Sequence, residues 1–302
     1  MKPAELGGLM SVDFSPLAAR RDAIIAGLHA LSPTPHLMGI LNATDDSFFA
    51  GSRHHDSAAV ELGIQMWKDG ATWVDVGGES TRPGALPVTI EEEIARVIPV
   101  IEGLREANSQ GLISIDTRHT DVARAALLAG ADLINDVSGL RDPSMLDLVV
   151  ESGCGVCIMH MQGEPGNMQK NPTYLNCVED VQAYLAKRLE ELIERGHDPR
   201  LVCLDPGIGF GKTHQDNIDL LEAGRNMVAN EHAGLLWGVS RKSLIGHLAQ
   251  QEDAKNRLAG TLGIAAVARS KGIDVLRVHD VREHADLFAS MSPFSRKADT
   301  TE

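Results

Sequence analysis

Eight short apolar runs, each followed by a longer stretch of helical periodicity, constrain this chain more than any other feature. The runs cover residues 36–41, 72–76, 111–116, 131–135, 155–159, 200–205, 234–239 and 273–278. Helical patterns fill 56–69, 90–107, 119–129, 143–152, 178–195, 215–229, 254–271 and 281–290. The apolar runs are continuous rather than alternating, because a strand covered on both faces wants apolar side chains at every position. Gly130-Ala131-Asp132 and Gly272-Ile273-Asp274 supply helix stops just before two of the runs. Eight such units in about 265 residues predict one α/β domain, a (β/α)8 TIM barrel over residues 36–291. An open doubly wound sheet is the alternative. Residues 1–35 read as a short N-terminal helical extension, with Ile24, Leu28 and Leu31 on one face and Pro33 and Pro35 ending it. That helix is expected to pack on the outside of the barrel or to close its bottom. Residues 292–302 are polar and read as a flexible tail.

Composition narrows the function. Aromatics supply only 4% of the residues against 43% hydrophobic overall, so Val, Ile, Leu, Ala and Met must fill the core. The formal net charge is −14, from 28 Lys and Arg against 42 Asp and Glu. Such a surface argues against nucleic acid or an anionic membrane as partner, so an anionic substrate needs a local cluster of positive groups. No run approaches the roughly 20 apolar residues of a membrane helix, and Arg20, Arg21 and Asp22 do not suit a signal peptide. A cytoplasmic protein is the expectation. The Cys154/Cys157 pair sits three apart on a strand-like run, which turns the two thiols to opposite faces; they read as structural. The histidines lack the spacing of a zinc site.

In a β/α barrel the working groups stand at the C-terminal strand ends. Those positions here carry Asn42, Asp75, Asp116, Asn135-Asp136, His160, Asp205, Ser240-Arg241-Lys242, and Arg277 with His279. Single carboxylates there can simply cap helices. A full ring of polar groups, each costing about 1–3 kcal/mol if buried unsatisfied, asks for a polar ligand. Asp116, Asn135, Asp205 and Lys242 suit a flat heterocycle with an amino-pyrimidinone edge, since a carboxylate accepts from an exocyclic NH2 and a ring N–H together. Arg277, His279, Arg82 and Asn42 suit phosphate oxygens.

The run Asp205-Pro206-Gly207-Ile208-Gly209-Phe210-Gly211-Lys212-Thr213 has the look of a nucleotide loop but lacks its spacing. Pro206 stands where a phosphate loop needs its first glycine, and the third glycine comes one residue early for a dinucleotide fingerprint. The expected role is close backbone approach to a ligand, with Phe210 as a stacking face; a purely structural glycine turn is the alternative.

Leu37-Met38-Gly39-Ile40-Leu41-Asn42, Asp75-Val76-Gly77-Gly78-Glu79-Ser80-Thr81-Arg82-Pro83-Gly84 and Ile113-Ser114-Ile115-Asp116-Thr117 resemble motifs of the dihydropteroate synthase family. So do Ile134-Asn135-Asp136-Val137, Met159-His160-Met161-Gln162, the Asp205 loop, Ser240-Arg241-Lys242-Ser243 and Arg277-Val278-His279-Asp280. They run in family order through nearly the whole barrel. The resemblance implies a transferase that joins 6-hydroxymethyl-7,8-dihydropterin pyrophosphate to para-aminobenzoate in folate synthesis by a dissociative route. It implies a pterin site of Asp116, Asn135, Met159, Asp205, Phe210 and Lys242, and a pyrophosphate site of Asn42, Arg82, Arg277 and His279. Mg2+ is implied on Asn42, and para-aminobenzoate among Thr81, Pro83, Phe210, Ser240 and Lys242. Catalysis would fall to Asp116, Lys242, Arg277 and His279, in a homodimer with small-molecule substrates as its other partners.

The first loop departs from the family pattern. It reads Asn42-Ala43-Thr44-Asp45-Asp46-Ser47-Phe48-Phe49-Ala50-Gly51, with Asp45 in place of the family proline and Ala50 in place of its second aspartate. The resemblance implies that this loop closes over the site and helps to organise the metal shell, so both changes bear on its stiffness and its metal contacts, with Asp46 retained and Asp45 as a candidate substitute. Sulfonamide-resistant relatives also carry an acidic residue in place of that proline, yet their second loop departs from Gly-Glu-Ser-Thr-Arg-Pro, which this chain keeps; sulfonamide response is left open. Two further readings are a pterin-dependent methyltransferase domain and a non-catalytic pterin-binding paralogue.

Overall fold

The computed structural model describes residues 13–31, 34–43, 53–79, 88–164 and 166–295. Eight parallel strands close into one barrel in sequence order. They are β1 (His36–Asn42), β2 (Trp73–Gly77), β3 (Leu112–Asp116), β4 (Leu133–Asp136), β5 (Gly155–Met159), β6 (Val202–Asp205), β7 (Gly234–Trp237) and β8 (Val275–Val278). Leu37↔Leu276 and Met38↔Trp73 mark the register on either side of β1, where β8 returns to close the ring. The barrel reading holds, and the open sheet is excluded.

The helices are α1 (Ser15–Leu28), α2 (Arg53–Lys68), α3 (Ile90–Ala107), α4 (Thr120–Ala129), α5 (Pro143–Ser152), α6 (Cys177–Glu194), α7 (His214–Ala223), α8 (Ser243–Ala249), α9 (Leu258–Ala268) and α10 (Val281–Met291). Their ends follow local chemistry. Thr89 and Glu92 form a capping box at the start of α3, and Asp142 caps α5 with Pro143 in its first turn. Two sequence expectations shift. The pattern at 215–229 breaks at Gly224 into a 3-10 turn, and that at 254–271 is α9 between two 3-10 turns. The seven-residue α8 was not anticipated, being too short to show a helical period.

Helix α1 closes the floor of the barrel. Its Gly27 carbonyl accepts from Trp73 Nε1 at 2.7 Å, and a Cβ on Gly27 would come within 2.7 Å of Leu112. A Cβ on Gly155 would meet Ile24 at 2.9 Å, and one on Gly234 would meet the Leu28 carbonyl at 2.4 Å. Trp73, Leu112, Gly155 and Gly234 all lie at strand beginnings, so α1 crosses the N-terminal mouth of the ring. Ile24 and Leu28 are fully buried there. Leu31 is not: the helix ends at Leu28, His29 is extended, and Leu31 is 98% exposed. The shared helical face stops one turn earlier than its periodicity suggests.

Beneath the strands, Asp132 accepts from Arg20 Nε at 2.5 Å, Arg105 Nη2 at 2.6 Å and the Ile113 N–H at 2.9 Å. Asp274 accepts from the Ala30 N–H at 3.1 Å, Arg225 Nη1 at 2.5 Å and the Leu235 N–H at 2.8 Å. These are the aspartates of the two helix-stop motifs, and they tie helices, strands and plug together. Cys154, Cys157, Cys177 and Cys203 are buried free thiols.

Candidate active site

The opposite end of the barrel gathers ionised groups that are not fully matched. Arg277, from β8, donates Nε to Asp75 at 2.6 Å and Nη2 to Asp116 at 2.5 Å. Asn135 donates its amide to the same Asp75 oxygen at 3.2 Å, while Asp75 Oδ1 is buried without a hydrogen-bond partner among the described residues. Parallel strands bring these four together: Gly77↔Asp116 and Asp116↔Asn135 are neighbours across β2, β3 and β4, while Met38↔Arg277 and Ile40↔Asp75 set β8 and β2 on either side of β1. Burial pushes Asp116 up to about 7, helped by Asp75, Asp136 and Glu79 and opposed by Arg277. Burial works against the Arg277 charge, yet Asp75 and Asp116 hold its pKa above the ordinary guanidinium value.

Across the mouth, Asp205 accepts the Gly207 N–H at 2.7 Å through Oδ1. A Cβ on Gly238 would lie 3.8 Å from Asp205 Oδ2 and 3.6 Å from Lys242 Nζ, so that glycine keeps the space between carboxylate and ammonium clear. Burial raises the Asp205 pKa, which Lys242 opposes, and burial brings Lys242 down to about 8. Lys242 donates to the Ile208 carbonyl at 2.5 Å and stands 4.5 Å over the Phe210 ring. Phe210 packs on a separate apolar cluster of Val137, Met159, Met161 and Met168. The result is a flat apolar wall with a carboxylate and an ammonium at its edge, which suits a planar, hydrogen-bonding ring.

Of the residues singled out from sequence, Asp116, Asn135, Asp205, Lys242 and Arg277 meet at this mouth, and Met159 and Phe210 form its wall. Asn42 ends β1, half-buried beside Gly77. Ser240 stands against His279: its hydroxyl accepts the His279 N–H at 3.2 Å and lies 2.9 Å from His279 Nδ1. Thr81, Arg82, Pro83 and the first-loop residues Thr44, Asp45, Asp46 and Ala50 lie outside the described residues.

Sequence reasoning missed two residues. Asp75 was seen only as a strand end, although it is the shared acceptor of the mouth network; its position two residues before Gly77 in a buried strand was the available signal. Lys212, in the run with the look of a nucleotide loop, is 3% exposed and turned inward. It donates to the His160 and Phe210 carbonyls, and Thr213 beside it caps α7. The ring of polar strand ends also includes Glu79, paired with Arg118 at 3.0 and 3.1 Å.

Comparison with known proteins gives the same picture. The family described as pterin binding enzyme matches residues 38–279. The dihydropteroate synthase of Neisseria meningitidis serogroup C is 45% identical over 257 residues, covering 83% of this chain and 90% of the relative. The Xanthomonas albilineans dihydropteroate synthase solved with 4-aminobenzoic acid superposes with a TM-score of 0.79 at 40% identity, covering 87% of this chain and 94% of that one. The same enzyme solved in complex with 7,8-dihydropteroate gives 0.77 at 38% identity, covering 87% and 94%. These relatives side with the synthase reading over the methyltransferase and non-catalytic ones. A buried carboxylate–ammonium mouth on a closed eight-stranded barrel, together with these matches, places the chain in the pterin binding enzyme family, among the dihydropteroate synthases, transferases of folate synthesis.

Proposed function

We propose that the chain condenses 6-hydroxymethyl-7,8-dihydropterin pyrophosphate with para-aminobenzoate, giving 7,8-dihydropteroate and pyrophosphate through a dissociative step. The observation that carries this reading is the buried polar mouth, where Asp75 Oδ1 has no hydrogen-bond partner among the described residues and Asp205 Oδ2 and Lys242 Nζ flank the space a Cβ on Gly238 would take. Asp205 has one oxygen on the Gly207 N–H and the other beside that space, where a ring N–H and an exocyclic NH2 would satisfy it. Asn135 and Asp116 extend the same polar edge, and Met159 and Phe210 cover the ring faces.

Arg277, kept cationic by the two aspartates beneath it, would hold the pyrophosphate with His279, Asn42 and Arg82. As the leaving group departs, the pterin methylene gains positive charge. Asp116 would favour that state electrostatically, because its negative charge is the one Arg277 alone does not fully offset in a buried setting. Phe210, Ser240 and Lys242, with Thr81 and Pro83, would seat the arylamine for attack; no covalent enzyme intermediate is required. Asn42 fits a magnesium role, since a half-buried neutral amide oxygen at a strand end is a hard ligand that leaves room for water and phosphate oxygens. When bound, Mg2+ would share the pyrophosphate charge and ease its departure.

A homodimer is supported by the exposure of Leu248 on α8 and Val267 on α9, neighbouring helices on one side of the barrel. Among the described residues no helix is long and apolar enough to cross a membrane, which agrees with a cytoplasmic enzyme.

The test is pyrophosphate release with Mg2+, the dihydropterin pyrophosphate and para-aminobenzoate. Release should depend on the arylamine, and Asp205→Ala should lower kcat/KM by at least about a hundredfold. Release without arylamine dependence, or none despite pterin binding, would overturn the reading. Repeating the assay with sulfamethoxazole decides whether Asp45 confers insensitivity.

A further inference from the structure

The connection between β5 and α6 and the glycine loop after β6 are fastened to each other at three places that substrate chemistry does not require. Gln169 Nε2 donates to the Gly209 carbonyl at 2.7 Å, and Tyr174 OH donates to the Gly211 carbonyl at 2.7 Å. Lys212 Nζ donates to the Phe210 carbonyl at 3.0 Å and the His160 carbonyl at 3.2 Å, and lies 3.0 Å from His160 Nδ1. The two segments touch so closely that a Cβ on Gly207 would stand 1.9 Å from the His160 carbonyl, and one on Gly211 would stand 2.5 Å from the Gln162 carbonyl.

Lys212 is the costly member of this set. A lysine ammonium is rarely buried, because desolvation penalises its charge. Here burial brings Lys212 down to about 7 and His160 down to about 3, so the imidazole is neutral and accepts through Nδ1. In its ammonium form the three N–H donors of Lys212 meet three acceptors, a match that an apolar side chain cannot supply. Phe210, whose carbonyl Lys212 holds, is also the ring beneath Lys242 Nζ at 4.5 Å. Lys242 in turn grips the Ile208 carbonyl from the mouth side. The loop is thus held between two lysines, one facing the site and one facing the strap behind it.

We infer that Lys212 is a positioning residue for both substrates: with Tyr174 and Gln169 it fastens the glycine loop to the β5–α6 connection and so sets where Phe210 stands. The inference rests on the substrate reading above, in which Phe210 contacts pterin and arylamine alike. A role confined to stability would lower the melting temperature and leave the Michaelis constants of the folded enzyme unchanged. A positioning role moves both KM values with a smaller change in kcat.

Three single variants and one double variant decide, each compared with the parent enzyme at a temperature well below its melting point. Gln169→Ala and Tyr174→Phe each remove one tie, and the Gln169 side chain is exposed and Tyr174 only half-buried, so neither threatens the fold. Each should raise KM for the dihydropterin pyrophosphate and for para-aminobenzoate by roughly fivefold, the worth of one hydrogen bond. Lys212→Met should raise both by at least about tenfold, and combining it with Tyr174→Phe should give less than the product of the single effects, because both act on one loop. Unchanged KM values, within about twofold, in Gln169→Ala and Tyr174→Phe would overturn the inference even if Lys212→Met does not fold. Failure of the substrate reading itself is separable, since the parent enzyme would then release no pyrophosphate.

Discussion

The two ends of the barrel carry buried aspartates in opposite states. At the floor, Asp132 accepts from two arginines and one backbone N–H and Asp274 from one arginine and two backbone N–H groups, so the negative charge is spread over several donors. At the mouth, Asp75 keeps an oxygen without a hydrogen-bond partner among the described residues, and burial pushes Asp116 up to about 7. The same side chain in the same fold serves cohesion where its donors are built in and serves a ligand where they are left out. A barrel can hold such strain at one end because the other end is fastened by α1 and by the ion pairs of Asp132 with Arg20 of α1 and Arg105 of α3.

The floor should show the largest stability effect. Asp132→Ala strands Arg20 and Arg105 without their shared buried partner, which costs about 3–5 kcal/mol and lowers Tm by roughly 10 °C in a thermal melt. The kcat of the remaining folded enzyme should not change. A variant that kept its Tm but lost activity would break the contrast between the ends.

The mouth should behave in the opposite sense. Burial holds the Asp116 pKa above its ordinary 3.8, so the folded state binds a proton that the unfolded state has released between about pH 4 and 7. Stability from this group is therefore complete below about pH 4 and is lost as pH rises toward 7. Asp116→Asn, neutral at every pH, should melt with the parent near pH 4 and above it by a growing margin up to pH 7, at about 2–4 °C per kcal/mol relieved. Its kcat/KM should fall by at least about a hundredfold. A Tm margin that shrinks as pH rises would show that Arg277 fully compensates Asp116.

The smallest effect belongs to a residue the sequence pattern overvalued. Leu31→Ser should change stability by less than about 0.5 kcal/mol, because the side chain is 98% exposed beyond the end of α1. Ile24→Ser, from the same apparent stripe but fully buried, should cost several-fold more in the same melt.

The sequence by itself determined the barrel, because continuous apolar runs separated by helical periods leave few other ways to cover both faces of a parallel sheet. It also determined which residues reach the mouth: strand ends are local features, and Asp116, Asn135, Asp205, Lys242 and Arg277 all follow from them. Closure decided what those residues do to one another. Asp75 and Arg277 are 202 positions apart and meet only because β8 returns to β1, so no local pattern could reveal their pairing. Lys212 was equally hidden: its neighbours in sequence suggest a phosphate loop, and only the packing of two loops turns it inward to His160. Where α1 lies was settled in the same way, by the space that Gly27, Gly155 and Gly234 leave at the barrel floor. Local propensity is written along the chain, whereas burial, ion pairing and pKa depend on distances that exist only once the ring has closed.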